Sequence, residues 1–367
     1  MIVKLADLGD AVLLTAAVDA AHRHLPQYDL DLLLGTAGAP VFVSDPRVRK
    51  LWAFDRKLLE GRRAARPSSL LAWGRLLWAL RRERYDALVL AHHLTTLLGS
   101  LKLASLVVVV GARLSVGVDN GRGTFLNRRY PDSGFGAVCE GEYWVRLVGQ
   151  LATEVGKARG NDPGGSVRGT LSLSVSDEAR ERATRLLGML PRGPLFAIHH
   201  GLGGWIPSRS WRPAGYAEVA RRVLAEVGGT VLLLGGPEER AAAQEVAHLV
   251  GERAVVLAGE TDVQLLVALL ARCDVYLGPD SGLTHIAMAV RTPVVSLWGP
   301  TNEAAWGPCA EIGSGPATVL RAPDRPLNWV YVGHRMGDLR HRTDLGALDP
   351  AVVARAVLQM LERKDFG

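Results

Sequence analysis

The sequence predicts an α/β protein built from two parallel β-sheets covered by helices, and three observations support this prediction. Short apolar runs alternate with segments of helical periodicity in two blocks of the chain. A segment rich in glycine and polar residues, 156–170, separates the two blocks and predicts a linker. The chain has 367 residues, which is more than one hydrophobic core usually holds, so two domains are expected.

The first block opens with a strand at 1–5, because these residues are almost continuously apolar. Residues 11–24 repeat apolar side chains at helical spacing, and a second apolar run at 30–34 predicts the next strand. A helix is predicted at 70–84, and it leads to a strand at 88–90. We therefore place an N-terminal domain at residues 1–160.

The second block repeats this alternation over a longer stretch. Its apolar runs predict strands at 195–199, 230–234, 254–257, 275–277 and 293–298, and its periodic segments predict helices at 214–227, 238–250, 263–271 and 283–290. We place a C-terminal domain at 170–345 and a C-terminal helix at 349–363. Ligands of open α/β sheets usually bind at the carboxyl ends of the strands, so we expect a cleft between the two sheets to hold the site.

Composition limits the class of partner. The formal net charge is +6, but acidic residues are nearly as numerous as basic ones. This balance favours acidic ligands or a membrane surface only weakly. The sequence contains no recognised nucleic-acid-binding module, so we expect no nucleic-acid partner.

Two apolar stretches resemble targeting or membrane segments. The stretch 1–22 is interrupted by Asp7 and Asp10 and has no small-residue cleavage site, so it fits a strand and a helix better than a signal peptide. The stretch 101–110 is too short to span a bilayer as a helix, and it contains Lys102. We expect a cytoplasmic protein with no transmembrane helix, and we keep a peripheral contact at the inner face of the cell membrane as an option.

The stretch 273–300 is the most informative part of the chain. It contains a strand, a polar turn at Asp280, Ser281 and Gly282, and then a helix. Free backbone N–H groups and the positive end of the helix dipole suit an anion such as a nucleotide diphosphate. His285 lies on the first turn, where it can face the same ligand. An ordinary capped helix with a satisfied histidine is the competing interpretation.

Four segments together resemble a known family. They are LADLGDAVLLTAAVDA at 5–20, SRSWRPAGYAEVA at 208–220, LLLGGPEE at 232–239 and GPDSGLTHIAMAVRTPVVSLWGPT at 278–301. In this order they resemble glycosyltransferase family 9, the bacterial heptosyltransferases. The resemblance implies the GT-B fold, with two Rossmann-like domains whose parallel sheets face a central cleft. It also implies inverting transfer of heptose from ADP-heptose to a lipopolysaccharide core precursor.

The resemblance implies two catalytic residues. Asp10 matches the general base that takes the proton of the acceptor hydroxyl, although by itself the sequence also fits Asp10 as the cap of a helix that begins at Ala11. Asp7 is a weaker candidate for the base, and we expect it to face solvent. Arg209 stands where the family usually has a lysine that stabilises the departing diphosphate, and Arg212 is the alternative for this contact.

The donor site is expected in the C-terminal domain. The family has a segment that holds the diphosphate and the sugar. Five residues of this sequence resemble that segment: Asp280, Ser281, Gly282, Leu283 and His285. Asp280 is expected to contact a sugar hydroxyl, to cap the helix or to hydrogen bond to His285, because a carboxylate repels phosphate. Glu239 is our candidate for the ribose hydroxyls. The remaining donor-site candidates are Gly201, Gly236, Gly259, Glu260 and Thr261.

The acceptor side is the hardest to predict. The pairs at 92–93 and 199–200 each follow a strand, and we expect one histidine of each pair to line the cleft and none to bind metal. His92, Arg122 and Arg129 are the candidates for acceptor binding. The arginine-rich segment 62–84 fits an anionic membrane or an acidic lipid-linked acceptor, whereas a core-packing helix with a solvated back is the competing interpretation.

We therefore predict a metal-independent, inverting glycosyltransferase without a cofactor, whose partners are a nucleotide-sugar donor and a glycan, glycolipid or small-molecule acceptor. A family relative that uses another donor or glycosylates a small natural product is the alternative enzyme. A catalytically silent protein that binds a nucleotide sugar is the alternative from another class.

Overall fold

The computed structural model describes residues 1–158, 166–201, 211–299, 301–322, 331–332, 335–336 and 345–364. The chain divides into two compact units. Unit 1 comprises Met1–Leu171 and Gly333–Met336, and unit 2 comprises Ser172–Val332 and Gly337–Gly367. Each unit contains a six-stranded sheet in which every pair of neighbouring strands is parallel.

The described residues of unit 1 form a six-stranded sheet and four α-helices. The strands are β1 (Ile2–Lys4), β2 (Asp31–Gly35), β3 (Lys50–Phe54), β4 (Ala87–Leu90), β5 (Leu114–Asp119) and β6 (Arg128–Pro131). The helices are α1 (Leu8–His24), α2 (Pro67–Arg82), α3 (Leu97–Val110) and α4 (Glu140–Ala158). The strand order is β3-β2-β1-β4-β5-β6. Helix α1 packs on α4, whereas α2 packs on α3.

Unit 2 follows the same plan. Its sheet contains β7 (Leu195–His199), β8 (Thr230–Leu234), β9 (Ala254–Val256), β10 (Val275–Pro279), β11 (Val294–Trp298) and β12 (Ala317–Arg321). Its helices are α5 (Asp177–Gly188), α6 (Pro213–Val227), α7 (Arg240–Val250), α8 (Val263–Leu270), α9 (Gly282–Ala289), α10 (Glu303–Trp306) and α11 (Pro350–Lys364). Two further short strands precede α11: β13 (Tyr331–Val332) belongs to unit 2 and β14 (Arg335–Met336) to unit 1.

The two sheets have the same topology. The order β12-β11-β10-β7-β8-β9 becomes that of unit 1 when the strands of each unit are counted from its own first strand. In both sheets the order reverses beside the first strand, and this position is the topological switch point of a doubly wound sheet. The switch point lies between β1 and β4 in unit 1 and between β7 and β10 in unit 2.

The burial of apolar side chains explains why the central strands of unit 2 lie in its interior. All residues of β8, β10 and β11 are buried, as expected for strands that have helices on both faces. The C-terminal helix belongs to the core of unit 2, because Val353, Val357 and Met360 are buried there together with residues of α6 and of the sheet. Among the described residues, no helix is both long and apolar enough to cross a membrane.

The predicted α/β fold with parallel sheets is confirmed by this architecture. The predicted strands 195–199 and 230–234 coincide with β7 and β8. The elements that were not predicted from the sequence include β3, α3 and α4. Helix α3 nevertheless carries both end signals, because the Thr96 side chain accepts a hydrogen bond from the N–H of Gly99 and Gly111 closes the helix at a φ of 61°.

Candidate functional site

Two of the predicted polar residues of unit 1, Asp10 and His92, lie at its switch point. The base candidate Asp10 lies on α1, directly after β1, and His92 follows β4. Strands β1 and β4 are hydrogen-bonded neighbours, so their carboxyl ends bring these two segments together. This is the position where ligands of doubly wound sheets bind.

Asp10 lies in the first turn of α1 and does not cap it. The helix begins at Leu8, so Asp7 occupies the N-cap position and Asp10 follows three residues later. The alternative in which Asp10 caps a helix that begins at Ala11 is therefore wrong. The side chain of Asp10 is 26% exposed, whereas that of Asp7 is 65% exposed and pairs with Arg56 at 2.8 Å.

Lys4 is a site residue that the sequence analysis missed. Its Nζ atom lies 3.2 Å from Oδ1 of Asp10, and its side chain is only 5% exposed. The same ammonium lies 4.1 Å from the centroid of the Trp144 ring, within the range of a cation–π contact. A buried lysine needs such partners, because removing an ammonium from water is costly. Lys4 thus gives Asp10 a fixed cationic neighbour.

His92 is neutral and engaged with the backbone. Its Nε2 atom accepts a hydrogen bond from the N–H of Leu5 at 2.6 Å, which places the ring proton on Nδ1. Burial, followed by the charge of Lys4, lowers the pKa of His92 to about 3. A neutral imidazole in this tautomer keeps one hydrogen-bond donor, its Nδ1–H.

His93 has a different environment. Its Nδ1 lies 2.9 Å from Oδ2 of Asp132, and its Nε2 lies 2.9 Å from Oε1 of Glu140. Burial by itself lowers the pKa of His93, but the charge of Glu140 and the hydrogen bonds of both carboxylates outweigh it and raise this pKa to about 9. The imidazolium is also enclosed by aromatic rings, including that of Trp144 at 5.5 Å. His93 therefore supports the ring over which Lys4 lies.

The two arginines predicted for the acceptor lie at or near β5 and β6 of the same sheet. Arg122 follows β5 and donates to the carbonyl oxygen of Leu94 at 3.0 Å. Arg129 lies in β6, and its Nη1 is 3.4 Å from Oδ2 of Asp119. Both side chains are exposed, and their roles in acceptor binding stay predictions.

In unit 2, Ser281 caps the helix that follows β10. Its backbone is extended, and its Oγ accepts a hydrogen bond from the N–H of Thr284, so Ser281 is the N-cap of α9. The Thr284 hydroxyl donates to the carbonyl oxygen of Pro279 at 2.5 Å and lies 3.0 Å from the hydroxyl of Tyr276. These bonds hold the helix N-terminus at the carboxyl end of β10, which borders the switch point.

Glu239, His199 and Ser281 form a chain of hydrogen bonds across this switch point. Nε2 of His199 lies 3.0 Å from Oε1 of Glu239, and Nδ1 lies 3.1 Å from Oγ of Ser281. The N–H of Gly236 donates to Oε2 of Glu239 at 2.7 Å. A carboxylate only accepts, so Nε2 of His199 donates to Glu239, and in the tautomer protonated at Nε2 the Nδ1 atom accepts from the Ser281 hydroxyl. Glu239, which is predicted to bind the ribose, and Ser281, which is predicted to bind the diphosphate, are thus linked through His199.

The other predicted residues of this segment surround the helix N-terminus. Gly282 is the first residue of α9, Leu283 is buried, and His285 lies in the first turn. Nε2 of His285 is 3.8 Å from Oδ1 of Asp280, which is within ion-pair distance and beyond hydrogen-bonding distance. Both side chains are buried.

The predicted glycines have backbone reasons for their identity. Gly201 and Gly259 have φ values of 58° and 78°, in the left-handed region that favours glycine. A Cβ on Gly201 would also lie 2.5 Å from Cγ of Pro279.

Glu260 is exposed and pairs with Arg240 at 2.7 Å, whereas Oγ1 of Thr261 is buried without a hydrogen-bond partner.

His200 and two arginines complete the predicted set. His200 is buried, neither ring nitrogen has a hydrogen-bond partner, and burial followed by the charge of His199 lowers its pKa to about 4. Arg209 lies outside the described residues. Arg212 occupies the N-cap position of α6 and is exposed, so the choice between the two arginines for the diphosphate stays open.

A cavity of about 1250 Å³ lies elsewhere in unit 1. Its lining includes Ile2, Leu30, Ala87 and Leu114, which lie at or near the amino ends of the strands. Since the predicted residues lie at the carboxyl ends and none of them lines this cavity, it is not the candidate site.

Each unit has the strand order of a dinucleotide-binding fold and carries polar groups at its switch point. A chain with two such units has the fold of the GT-B class of α/β proteins. The structure of the Escherichia coli protein described as ADP-heptose LPS heptosyltransferase II superposes with a TM-score of 0.72 at 19% identity, covering 99% of each chain. This likeness shows the fold.

A family model described as glycosyltransferase family 9 (heptosyltransferase) matches residues 73–314. The chain belongs to this family, and the resemblance found in the sequence is confirmed.

Two curated relatives show how far the similarity extends. A lipooligosaccharide heptosyltransferase 2 of Haemophilus influenzae is 30% identical over 161 residues, covering 43% of this chain and 44% of the relative. The chain therefore spans less than half the length of that relative. A lipopolysaccharide heptosyltransferase 1 of Pseudomonas aeruginosa is 26% identical over 325 residues, covering 82% of this chain and 79% of the relative.

Proposed function

We propose that the protein is an inverting glycosyltransferase that moves heptose from ADP-heptose to a hydroxyl of a glycan or glycolipid, with Asp10 as the general base. The observation that carries this proposal is the pairing of Asp10 with the buried Lys4 at the switch point of unit 1, in a chain of glycosyltransferase family 9. The ammonium favours the ionised carboxylate that a base needs. The partial exposure of Asp10 leaves it accessible to an acceptor hydroxyl.

The proposed reaction is a single displacement. The acceptor oxygen attacks the anomeric carbon while its proton passes to Asp10, and the bond from that carbon to the diphosphate oxygen breaks on the opposite face. The leaving nucleoside diphosphate carries the negative charge. No step in this scheme requires a cofactor.

Unit 2 supplies the donor site in this proposal. The N-terminus of α9 offers free backbone N–H groups to the diphosphate, and Ser281 adds a hydroxyl at the same point. Glu239 is assigned to the ribose hydroxyls, because a carboxylate accepts hydrogen bonds and Glu239 is linked to Ser281 through His199. The E. coli structural neighbour is described as acting with ADP-heptose, which supports this donor.

The acceptor and the cellular setting belong to the same proposal. Two relatives carry names that refer to lipooligosaccharide or lipopolysaccharide, which supports a glycolipid acceptor in lipopolysaccharide biosynthesis. His92, Arg122 and Arg129 contribute donors to acidic groups of that acceptor. We place the reaction in the cytoplasm.

The decisive experiment replaces Asp10 with asparagine and measures product formation from labelled ADP-heptose. We expect Asp10→Asn to lower kcat by about 10²–10⁴-fold, because a positioned base contributes that much. Asp7→Asn is the matched control, since Asp7 lies on the same segment and is mostly exposed. Normal turnover in Asp10→Asn would remove Asp10 from the mechanism.

Thermal shift with ADP, UDP and GDP tests the donor separately. A ligand that binds only the folded protein raises its apparent stability, so we expect ADP to give the largest shift. A shift with ADP but no product from any sugar donor would identify a silent nucleotide-sugar binding protein. No shift with any of the three nucleotides would contradict the donor site.

A further inference from the structure

The outer face of α2 and α3 exposes large apolar side chains. Trp78 on α2 is 62% exposed and Leu98 on α3 is 71% exposed. Thirteen large hydrophobic residues are exposed in the described part of the chain, and seven of them lie on these two helices. We call these seven the α2–α3 patch: Leu70, Leu71, Trp78, Leu97, Leu98, Leu101 and Val108.

The α2–α3 patch lies outside the face by which α2 packs on the core. Helix α2 buries Trp73, Leu77 and Leu80 against the sheet, and the ring of Trp73 contacts Phe54 edge-on at 5.2 Å. The core-packing interpretation of the segment 62–84 therefore describes only this inner face. The solvent side of α2 also carries the large apolar side chains of Leu70, Leu71 and Trp78, which a helix that faces only water does not require.

The two helices present their apolar side chains in one direction. They pack against each other, and both contribute buried residues to one cluster on the sheet of unit 1. The patch residues recur at helical spacing on the opposite side, at 70, 71 and 78 of α2 and at 97, 101 and 108 of α3. The patch is thus a shared surface of two neighbouring helices.

The charges beside the patch have a single sign. Residues 61–82 contain six arginines and no acidic residue, and α3 contains Lys102 and no acidic residue. Arg75 and Arg82 lie among the patch residues of α2, and the guanidinium of Arg82 lies 4.4 Å from the centroid of the Trp78 ring. Exposed tryptophan and leucine beside arginine are typical of helices that lie in a membrane interface.

We propose that the α2–α3 patch docks the protein on a bilayer surface that carries anionic lipid headgroups. The apolar side chains enter the boundary between headgroups and acyl chains, while the arginines contact lipid phosphates. A second copy of the chain fits less well, because a two-fold contact through this face would set arginine against arginine. The inference goes beyond the proposed sugar transfer and does not depend on it.

Cosedimentation of the full chain with vesicles tests this proposal. We expect binding to vesicles that contain phosphatidylglycerol, weaker binding at higher salt, and little binding to pure phosphatidylcholine. The double variant Leu98→Gln/Leu101→Gln should bind anionic vesicles about tenfold more weakly, because two apolar insertions are lost. Arg75→Gln/Arg82→Gln should lower binding and flatten its salt dependence.

Met189→Gln is the matched control, because Met189 is 79% exposed and lies in unit 2. It should bind vesicles as the unchanged protein does, and unchanged melting curves must show that all variants fold. Equal binding to both vesicle types, or no loss in the leucine variant, would overturn the proposal. Sedimentation velocity supplies the other outcome: a dimer that the leucine variant abolishes would mean that the patch pairs two copies.

Discussion

The two units share one strand order, but the polar groups at their switch points differ in kind. Unit 1 holds an ion pair, in which the buried ammonium of Lys4 faces Asp10. Unit 2 holds a chain of hydrogen bonds that passes from Glu239 through His199 to Ser281. The shared topology therefore gives each unit a switch point at the same place in its sheet. Under the proposed mechanism, the side chains there decide whether that point serves proton transfer or the binding of an anion.

This difference separates two kinds of kinetic effect. Under the proposed mechanism, Asp10 and Lys4 act on the proton that moves in the transition state, so changes there should lower kcat. The network in unit 2 holds the donor in both the ground state and the transition state, so changes there should raise KM. Variants in each unit test whether the two switch points differ in this way.

After Asp10→Asn, the largest effect is expected from Lys4→Met. The substitution keeps an apolar stem over Trp144 but leaves the Asp10 carboxylate without its cation at 3.2 Å. We expect kcat to fall by about ten- to a hundredfold with little change in ADP binding, because an opposite charge favours the ionised base. Steady-state kinetics and thermal shift with ADP measure the two quantities.

Lys50→Met is the matched control for this prediction. Lys50 also lies over a tryptophan, with 4.0 Å from its Nζ to the Trp52 ring, and pairs with Glu83 at 2.5 Å. It begins β3, so it lies at the opposite end of the sheet from Asp10. If both variants lost the same fraction of kcat, the effect of Lys4 would be structural.

A smaller effect is expected from His199→Gln. A glutamine amide cannot satisfy Glu239 and Ser281 with the geometry of the imidazole, so both donor-site groups lose a fixed partner. We expect the donor KM to rise about tenfold, the equivalent of one hydrogen bond to a charged group, with kcat nearly unchanged. Glu239→Gln should behave similarly, and the double variant should be less than additive.

His248→Gln serves as the control in the same unit, because His248 is exposed on α7. A loss of kcat without a change in donor KM in His199→Gln would place His199 in the chemical step and remove the distinction between the two switch points.

The smallest effect concerns the pH dependence of stability in unit 1. The pKa of His93 is raised from 6.5 to about 9 in the folded protein, so its stabilising contribution is complete below pH 6.5 and is lost as the pH rises through 9. The N-terminal amine of Met1 acts in the opposite direction below pH 8, because its pKa is lowered from 8.0 to about 6. We therefore expect the difference in unfolding free energy between the unchanged protein and His93→Gln to fall as the pH rises over this interval. Urea titrations at the two ends of the interval measure it.

His22→Gln is the reference for this test, since His22 is exposed on α1. The lowered pKa values of His92 and His200 act in the acid range below pH 6.5, so they do not interfere. An unchanged slope in His93→Gln would mean that the two carboxylates do not hold His93 in its charged form.

The sequence predicted some elements closely because their signals are local. Strand β7 and the N-cap at Ser281 follow from an apolar run and from turn chemistry. Lys4 was missed because a lysine at the end of a strand usually indicates an exposed position. The partners of His93 were missed because Asp132 and Glu140 lie 39 and 47 residues further along the chain.

By itself, the sequence determined the alternation of strands and helices, the family and the segments that end at the two switch points, because these depend on residues close together in the chain. Only the tertiary structure decided which groups meet there. Pairing of β1 with β4 and of β7 with β10 brings distant segments to one edge, and burial then requires each charge or polar atom to find a partner. That requirement pairs Lys4 with Asp10 and links Glu239 to Ser281 through His199.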